Sequence, residues 1–134
     1  MQIVGYRDLE SKSGLLPLLE QAFGWPFNER EFNRFVKIDP RLKDGVVGFC
    51  TVENGKVVSY VGAMDLATRT LDGTVEYAGG IYGVATLPGY TRQGLSAALF
   101  KITHEYFKGK GYRFIFFSFS RFRRSMSNYY PLPR

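Results

Sequence analysis

The spacing of hydrophobic residues changes several times along the chain, and each change predicts a different element of secondary structure. A short apolar run over residues 2–6 predicts a strand at the beginning of the chain. Leu15 and Leu18 then open a repeat with helical spacing, and we expect this first helix to end near Gly24. A second helix is predicted after Asn28, because an asparagine side chain can cap the first free amides of a helix.

The remaining apolar segments alternate with turn residues. Asn54-Gly55 is typical of a tight β-hairpin, and Asp72-Gly73 marks a further turn. Lys108 and Gly109 close the last predicted helix with favourable C-terminal residues. In chain order, these segments are strands over 46–53, 56–67 and 74–87, a helix over about 92–108, and a strand over 112–119. The predicted order is therefore β-α-α-β-β-β-α-β, and the last strand is expected to be covered on both faces because it shows almost no alternation.

The segment from Gly83 to Leu99 carries the most specific chemical signal of the chain. An extended apolar run ends at Pro88-Gly89, and a polar loop then opens into a helix. A loop of this kind directs unpaired main-chain amides and the positive end of the helix dipole toward one point, where an anion such as a pyrophosphate can bind. Gly94 lets the main chain approach that anion closely because it lacks a Cβ atom.

At these residues the chain resembles the GNAT superfamily of acyl-coenzyme A-dependent N-acetyltransferases. The family signature is Val-x-x-x-Pro-x-Tyr-Arg-x-x-Gly-x-Gly/Ala, with the core Gln/Arg-x-x-Gly-x-Gly/Ala, and this core is Thr91-Arg92-Gln93-Gly94-Leu95-Ser96 here. Two positions depart from it. Thr91 replaces a long polar side chain, and Ser96 replaces glycine or alanine but is still small.

The resemblance implies an α+β fold, with helices on both faces of a mixed, mostly antiparallel sheet. It covers about residues 1–119, the predicted acyltransferase domain, and leaves an irregular basic tail over 120–134. The tail is too short for the helix and two strands that the family normally adds, so we expect a shortened domain, a fragment, or a strand covered by a partner, and we predict a homodimer. The sequence around Pro88 also resembles that of the enhanced intracellular survival branch of the family.

The activity implied by the resemblance is direct transfer of an acetyl group from acetyl-CoA to an amine, through a tetrahedral intermediate and without a metal. A main-chain amide near Val84 would polarise the thioester carbonyl. The predicted residues for binding acetyl-CoA are Val84, Ala85, Thr86, Arg92, Gln93, Gly94, Leu95, Ser96 and Ala97.

Some family members carry a glutamate as the general base on this strand, and the corresponding position is Gly80 here. Glu76 lies four residues earlier, so Glu76, Gly80 and Val84 share one face if the strand has no bulge. We therefore predict Glu76 as the base, with Asp65 on the preceding strand as a second candidate.

Aromatic residues supply two further candidates. Tyr130, or its neighbour Tyr129, is a candidate for the acid that returns a proton to the thiolate. Phe23, Trp25 and Phe27 fall where the family often builds the wall of the acceptor pocket, although they are equally compatible with a core.

Composition and charge bear on what the protein binds and on where it is located. The net charge of +6 suits a phosphate-bearing cosubstrate, and it also leaves open a basic nucleic-acid-binding module. No apolar run approaches the ~20 residues of a membrane-spanning helix, and we expect a cytoplasmic protein. A third possibility is a degenerate family member that binds acyl-CoA, or assembles, without catalysis.

Overall fold

The computed structural model describes residues 1–24 and 28–117. Its strands and longer helices are, in chain order, β1 (Gln2–Gly5), α1 (Leu16–Phe23), α2 (Glu29–Ile38), β2 (Gly48–Glu53), β3 (Lys56–Arg69), β4 (Val75–Thr86), α3 (Leu95–Gly109) and β5 (Ile115–Phe117). Three one-turn 3₁₀ helices lie at Tyr6–Asp8, Lys12–Gly14 and Pro88–Tyr90. This order is the predicted one, and the α+β fold class is confirmed.

The five strands form one sheet in the order β1-β2-β3-β4-β5. The first four are antiparallel neighbours, whereas β5 runs parallel to β4 because α3 connects the two. Asn54 and Gly55 both adopt left-handed conformations, with φ of 53° and 78°, as a tight hairpin between β2 and β3 requires. Asn28 caps α2 as predicted, since its side chain accepts a hydrogen bond from the amide of Glu31 at 2.8 Å.

Helices cover both faces of the sheet. Consecutive residues of β3 separate the two layers, because Tyr60 packs with the residues of α1 and α2 whereas Val61 packs with α3. The α1–α2 layer includes Leu15, Leu18, Leu19, Phe32, Val36, Cys50 and Ala85. The α3 layer includes Ala63, Ile81, Leu99 and Phe107.

A bulge in β4 corrects one prediction. Tyr60 pairs with Ala85 and Gly62 pairs with Tyr82, so Gly83 and Val84 together face a single residue of β3. Such an extra residue reverses the alternation of side chains beyond it. Val84 packs in the α3 layer, whereas Gly80 faces Met64 of the opposite layer. Glu76, Gly80 and Val84 therefore do not share one face.

The last described strand is also shorter and more exposed than predicted. It begins at Ile115 rather than at Tyr112, and the side chain of Phe116 is 49% exposed. Tyr112 follows α3 and is bonded to its last turn, because its amide donates to the carbonyl of Phe107 at 3.2 Å; its hydroxyl donates to Asp65 at 2.8 Å. Within the described residues, the prediction of a strand covered on both faces is wrong.

Candidate functional site

The loop between β4 and α3 ends in a group of free main-chain donors. Arg92 and Gly94 adopt left-handed conformations, with φ of 64° and 76°, so the helix begins only at Leu95. The first amide bonded within α3 is that of Ala98, which donates to the carbonyl of Gly94 at 3.1 Å. No acceptor in the described part of the chain takes the amides of residues 94–97. These four donors lie at the positive end of the helix, which is the arrangement that binds anions.

An open cavity of about 340 Å³ adjoins these amides. It is lined by Thr86, Tyr90, Thr91, Arg92, Gly94, Leu95, Ser96 and Ala97. A Cβ atom added to Gly94 would meet no atom within 4 Å, so this side of the loop is open rather than filled by protein. We refer to the amides of residues 94–97 and this cavity as the anion cradle. Three of the predicted cofactor residues, Val84, Ala85 and Gln93, are not part of its lining.

Two side-chain contacts fix the cradle to the sheet, and neither was predicted from the sequence. The hydroxyl of Tyr90 donates to Glu53 at the end of β2, at 3.0 Å. The Oγ atom of Ser96 lies 3.0 Å from Oγ1 of Thr86, which in turn lies 3.0 Å from Oγ of Ser59. Ser59 is 27 residues away from Thr86 in sequence, so only the pairing of β3 with β4 brings these groups together.

The edge of β4 next to the cradle has no neighbouring strand in the part of the chain that the structure describes. β5 pairs with β4 only over Gly79–Ile81. Beyond this point, β4 continues through the bulge at Gly83 and Val84 to Thr86. An unpaired edge offers main-chain donors and acceptors to an extended ligand.

Glu76 lies at the other end of β4. Its carboxylate accepts two hydrogen bonds from Arg113, at 2.6 and 2.8 Å. The hydrogen bonds from Arg113 lower the pKa of Glu76, which makes this carboxylate a weaker base. Eight residues separate it from Val84, about 26 Å along an extended strand. The structure does not bring the two together, and the role of Glu76 stays a prediction.

Asp65, the second candidate base, lies near the C-terminal end of α3. Its carboxylate forms an ion pair with Lys110 at 3.0 Å and accepts a hydrogen bond from Tyr112. Both acceptor contacts are structural, because they join β3 to the end of the helix. The cradle is at the opposite end of α3, which is 15 residues long, or about 22 Å.

The other predicted residues lie outside the described part of the chain. These are the acid candidates Tyr129 and Tyr130, and the aromatic residues Trp25 and Phe27, whereas the main chain of Phe23 ends α1. Among residues 1–24 and 28–117, no group of three or more His, Cys, Asp or Glu side chains is placed to hold a metal ion. The helices that the structure describes include none with the length and apolar character needed to span a membrane.

Solved structures with the same fold include several acetyltransferases. Glucosamine-6-phosphate N-acetyltransferase from Arabidopsis thaliana superposes with a TM-score of 0.70 at 17% identity, over 89% of this chain and 82% of that protein. An aminoglycoside acetyltransferase from an uncultured soil metagenomic sample gives 0.66 at 17% identity, over 90% and 76%. An acetyltransferase from Trypanosoma brucei gives 0.64 at 22% identity, over 89% and 81%. At these identities the likeness concerns the fold.

A search among curated protein sequences finds no match. The model of one protein family, described as the acetyltransferase (GNAT) domain, matches residues 8–123 and therefore most of the chain. Together with the element order and the cradle at the start of α3, this match identifies the chain as a member of the GNAT acetyltransferase family.

Proposed function

We propose that this protein transfers an acetyl group from acetyl-CoA directly to an amine, through a tetrahedral intermediate. The observation that carries the proposal is the anion cradle, in which four free amides and a cavity of about 340 Å³ adjoin the unpaired edge of β4. The cradle fits the pyrophosphate of coenzyme A, because helix N-termini stabilise phosphate groups through free amides and the helix dipole.

The remaining parts of acetyl-CoA would extend from the cradle along β4. We propose that the pantetheine arm pairs with the main chain of residues 84–86, as an added strand would. The amide of Val84, at the bulge, would then donate to the thioester oxygen as negative charge develops there. An oriented amide of this kind contributes about 3–4 kcal/mol to transition-state stabilisation.

The acceptor must be an uncharged amine when it attacks the thioester, so a base has to remove its proton. We keep Glu76 as the predicted base and Tyr130 as the predicted acid. The ion pair between Glu76 and Arg113 favours a second candidate function, in which the domain binds acyl-CoA without catalysis. If the protein turns over, Glu76→Gln separates the two roles of this carboxylate, because loss of a catalytic base lowers kcat whereas loss of a surface ion pair leaves kcat unchanged.

Amino sugars are the first class of acceptor that we propose to test. Among the structurally similar proteins, one is an aminoglycoside acetyltransferase that was solved in complex with sisomicin, and another is a glucosamine-6-phosphate N-acetyltransferase. Their fold is shared by this chain, and the identity of the acceptor is a separate property that only a panel of amines resolves.

The test of the proposed function has two stages. Thermal unfolding is first followed with coenzyme A at 100 times its dissociation constant, which should stabilise the protein by ~2.7 kcal/mol. Release of free thiol from acetyl-CoA is then measured with amino sugars, polyamines and peptides as acceptors. Absence of any stabilisation by coenzyme A would contradict both candidate functions. Stabilisation without thiol release from any amine would favour the binding domain.

We also propose that two copies of the chain associate through the outer edge of β5. Phe114 and Phe116 are each 49% exposed at this edge, and no described strand pairs with its outer side. A second copy could extend the sheet there. Sedimentation at high concentration tests this proposal, and a strictly monomeric protein would exclude it.

Three further predictions remain untested. They are membership of the enhanced intracellular survival branch, the domain limit at residue 119 and a cytoplasmic location.

A further inference from the structure

Three hydroxyl groups form a continuous chain from the interior of the sheet to the anion cradle. Ser59 is fully buried on β3, and its Oγ atom donates to the carbonyl of Ala85 at 3.3 Å. Thr86 and Ser96 are partly exposed and line the cavity. The separations along the chain are 3.0 Å from Ser59 to Thr86 and 3.0 Å from Thr86 to Ser96.

Each hydroxyl carries one proton and can also accept a hydrogen bond, so the chain has two orientations. In the inward orientation, Ser96 donates to Thr86, Thr86 donates to Ser59, and Ser59 donates to the carbonyl of Ala85. In the outward orientation every bond between hydroxyls is reversed, and the proton of Ser96 is free for an acceptor in the cavity. Reversal gives up only the bond to Ala85, which at 3.3 Å is longer than the 2.7–2.8 Å typical of hydroxyl donors.

The small cost of turning the hydroxyl chain outward favours the binding of an anion in the cavity. A hydroxyl bound to a charged phosphate oxygen makes a shorter and stronger hydrogen bond than one bound to a neutral carbonyl. A phosphate oxygen next to Ser96 would therefore exchange a long neutral bond for a charge-assisted one. The family signature has glycine or alanine at this position, and neither residue has a side-chain donor.

We propose that the pyrophosphate of coenzyme A turns this hydroxyl chain outward and accepts a hydrogen bond from Ser96, which makes the side chain of Ser96 a binding group for the cosubstrate. Thr86 and Ser59 act through Ser96, as positioning residues. The proposal rests on the proposed function, because it requires coenzyme A in the anion cradle.

Calorimetric titration with coenzyme A tests the contribution of each hydroxyl. Ser96→Ala should bind about tenfold more weakly, as expected for loss of a hydrogen bond to a charged group. Thr86→Val should bind about threefold more weakly because Ser96 loses its donor, whereas Thr86→Ser should bind like the wild type. The double variant S96A/T86V should bind no more weakly than S96A alone, since both substitutions interrupt one chain.

Thr103→Val is the matched control. Thr103 lies in the same helix, seven residues beyond Ser96 and so about 10 Å along the axis, and its buried hydroxyl donates to the carbonyl of Leu99 at 2.8 Å. Its loss should leave the affinity for coenzyme A unchanged. Additive losses in S96A/T86V, or an equal loss in T103V, would overturn the hydroxyl chain.

Phosphorus NMR at saturating coenzyme A distinguishes a direct contact from a loosened helix. The pyrophosphate resonances of the bound ligand should shift in S96A relative to the wild type and stay unchanged in T103V. Identical resonances in S96A and wild type would show that Ser96 donates nothing to the phosphate, and they would overturn the proposal. A wild-type protein that does not bind coenzyme A would overturn the proposed function itself, whereas wild-type affinity in S96A would overturn only the role of Ser96.

Discussion

The two ends of helix α3 differ in how their main-chain and polar groups are paired. At the N-terminal end, the amides of residues 94–97 have no acceptor in the described part of the chain, and a cavity adjoins them. At the C-terminal end, the amide of Lys110 donates to the carbonyls of both Tyr106 and Phe107, and that of Gly111 donates to Lys108. One end is open to a ligand and the other is closed by the protein itself.

Side chains extend this difference. Lys110 forms an ion pair with Asp65, and its ammonium group lies 5.3 Å from the ring centres of both Tyr106 and Tyr112. The ring of Phe107 stacks on Tyr112 and is 1% exposed. Free amides are common to helix N-termini, and an adjoining cavity is what leaves room for an anion at this one. We therefore propose that the first turn of α3 serves binding and that its last turn serves stability.

The largest expected effect on stability comes from Phe107→Ala. A Cβ atom on Gly79 would lie 2.5 Å from the ring of Phe107, which shows how closely this ring covers β4. Removing the ring should lower the free energy of unfolding by about 3–5 kcal/mol, measured by urea denaturation. Phe114→Ala removes a ring that is 49% exposed and should cost less than about 1 kcal/mol.

The affinity of folded Phe107→Ala for coenzyme A should stay within about threefold of the wild type, because the ring lies at the closed end. Phe107→Leu offers a milder variant if the alanine variant does not fold. A hundredfold loss of affinity in either variant would show that the two ends of α3 are not independent.

The opposite pattern is expected for Gly94→Glu. The carboxylate would enter the anion cradle and repel the pyrophosphate, so we expect the affinity for coenzyme A to fall by more than about a hundredfold. Gly94→Ala is the control, because both variants share the left-handed conformation at φ 76°, whose cost is about 1–2 kcal/mol. A methyl group meets open space there, so the alanine variant should keep measurable binding. Equal affinities in the two variants would place the ligand elsewhere.

The open end was predictable from the sequence to a greater degree than the closed end. The cradle depends on a local order of strand, loop, glycine and helix, and all of this order lies within residues 83–99. Asp65 and Lys110 are 45 residues apart, and no local pattern indicates that β3 and the end of α3 meet. Ser59 was missed for the same reason, because a buried serine on a strand has no sequence signal for its partner.

The bulge explains the remaining error in β4. Adjacent glycines such as Gly79-Gly80 are typical of an irregular strand, yet the extra residue lies at Gly83, with φ of 61°. The sequence Gly83-Val84-Ala85-Thr86 predicts an extended strand. It does not show which of these residues lacks a partner on the neighbouring strand. Side-chain direction beyond the bulge, and with it the face of Val84, could therefore not be predicted.

A smaller effect is expected for Asp65→Asn, and it should depend on pH. Burial alone would lower the pKa of Lys110, but hydrogen bonds to Asp65 and Tyr112 raise it; burial and the hydrogen bond to Asp65 also raise the pKa of Tyr112. Both groups hold their protons more tightly in the folded state. Their contribution to stability is therefore present below about pH 10, the ordinary value for these groups, and is lost as the pH rises above it.

Urea denaturation between pH 8 and pH 11 checks this prediction. Asp65→Asn should lose about 1–2 kcal/mol at pH 8, because Asp65 is mostly buried and Lys110 only partly. The alkaline loss of stability should be shallower in this variant than in the wild type. Coenzyme A affinity should not change. An unchanged alkaline slope would show that the ion pair does not govern the titration of the closed end.

The smallest expected effect concerns the backbone of the open end. Arg92 is held at φ 64°, a conformation that costs a residue with a Cβ atom about 1–2 kcal/mol. Arg92→Gly removes this cost but adds chain entropy to the unfolded state, about 0.5–1 kcal/mol, so we expect a net gain of about 0.5 kcal/mol. Arg92→Ala keeps the strain and loses the same charge. The difference in unfolding free energy between the two variants therefore measures the strain less the added chain entropy of glycine, while their shared loss of affinity for coenzyme A measures the charge. If the glycine variant is no more stable than the alanine variant, the strain at residue 92 does not exceed the chain entropy of glycine, about 0.5–1 kcal/mol, and the open end of α3 differs from the closed end chiefly in its unpaired amides.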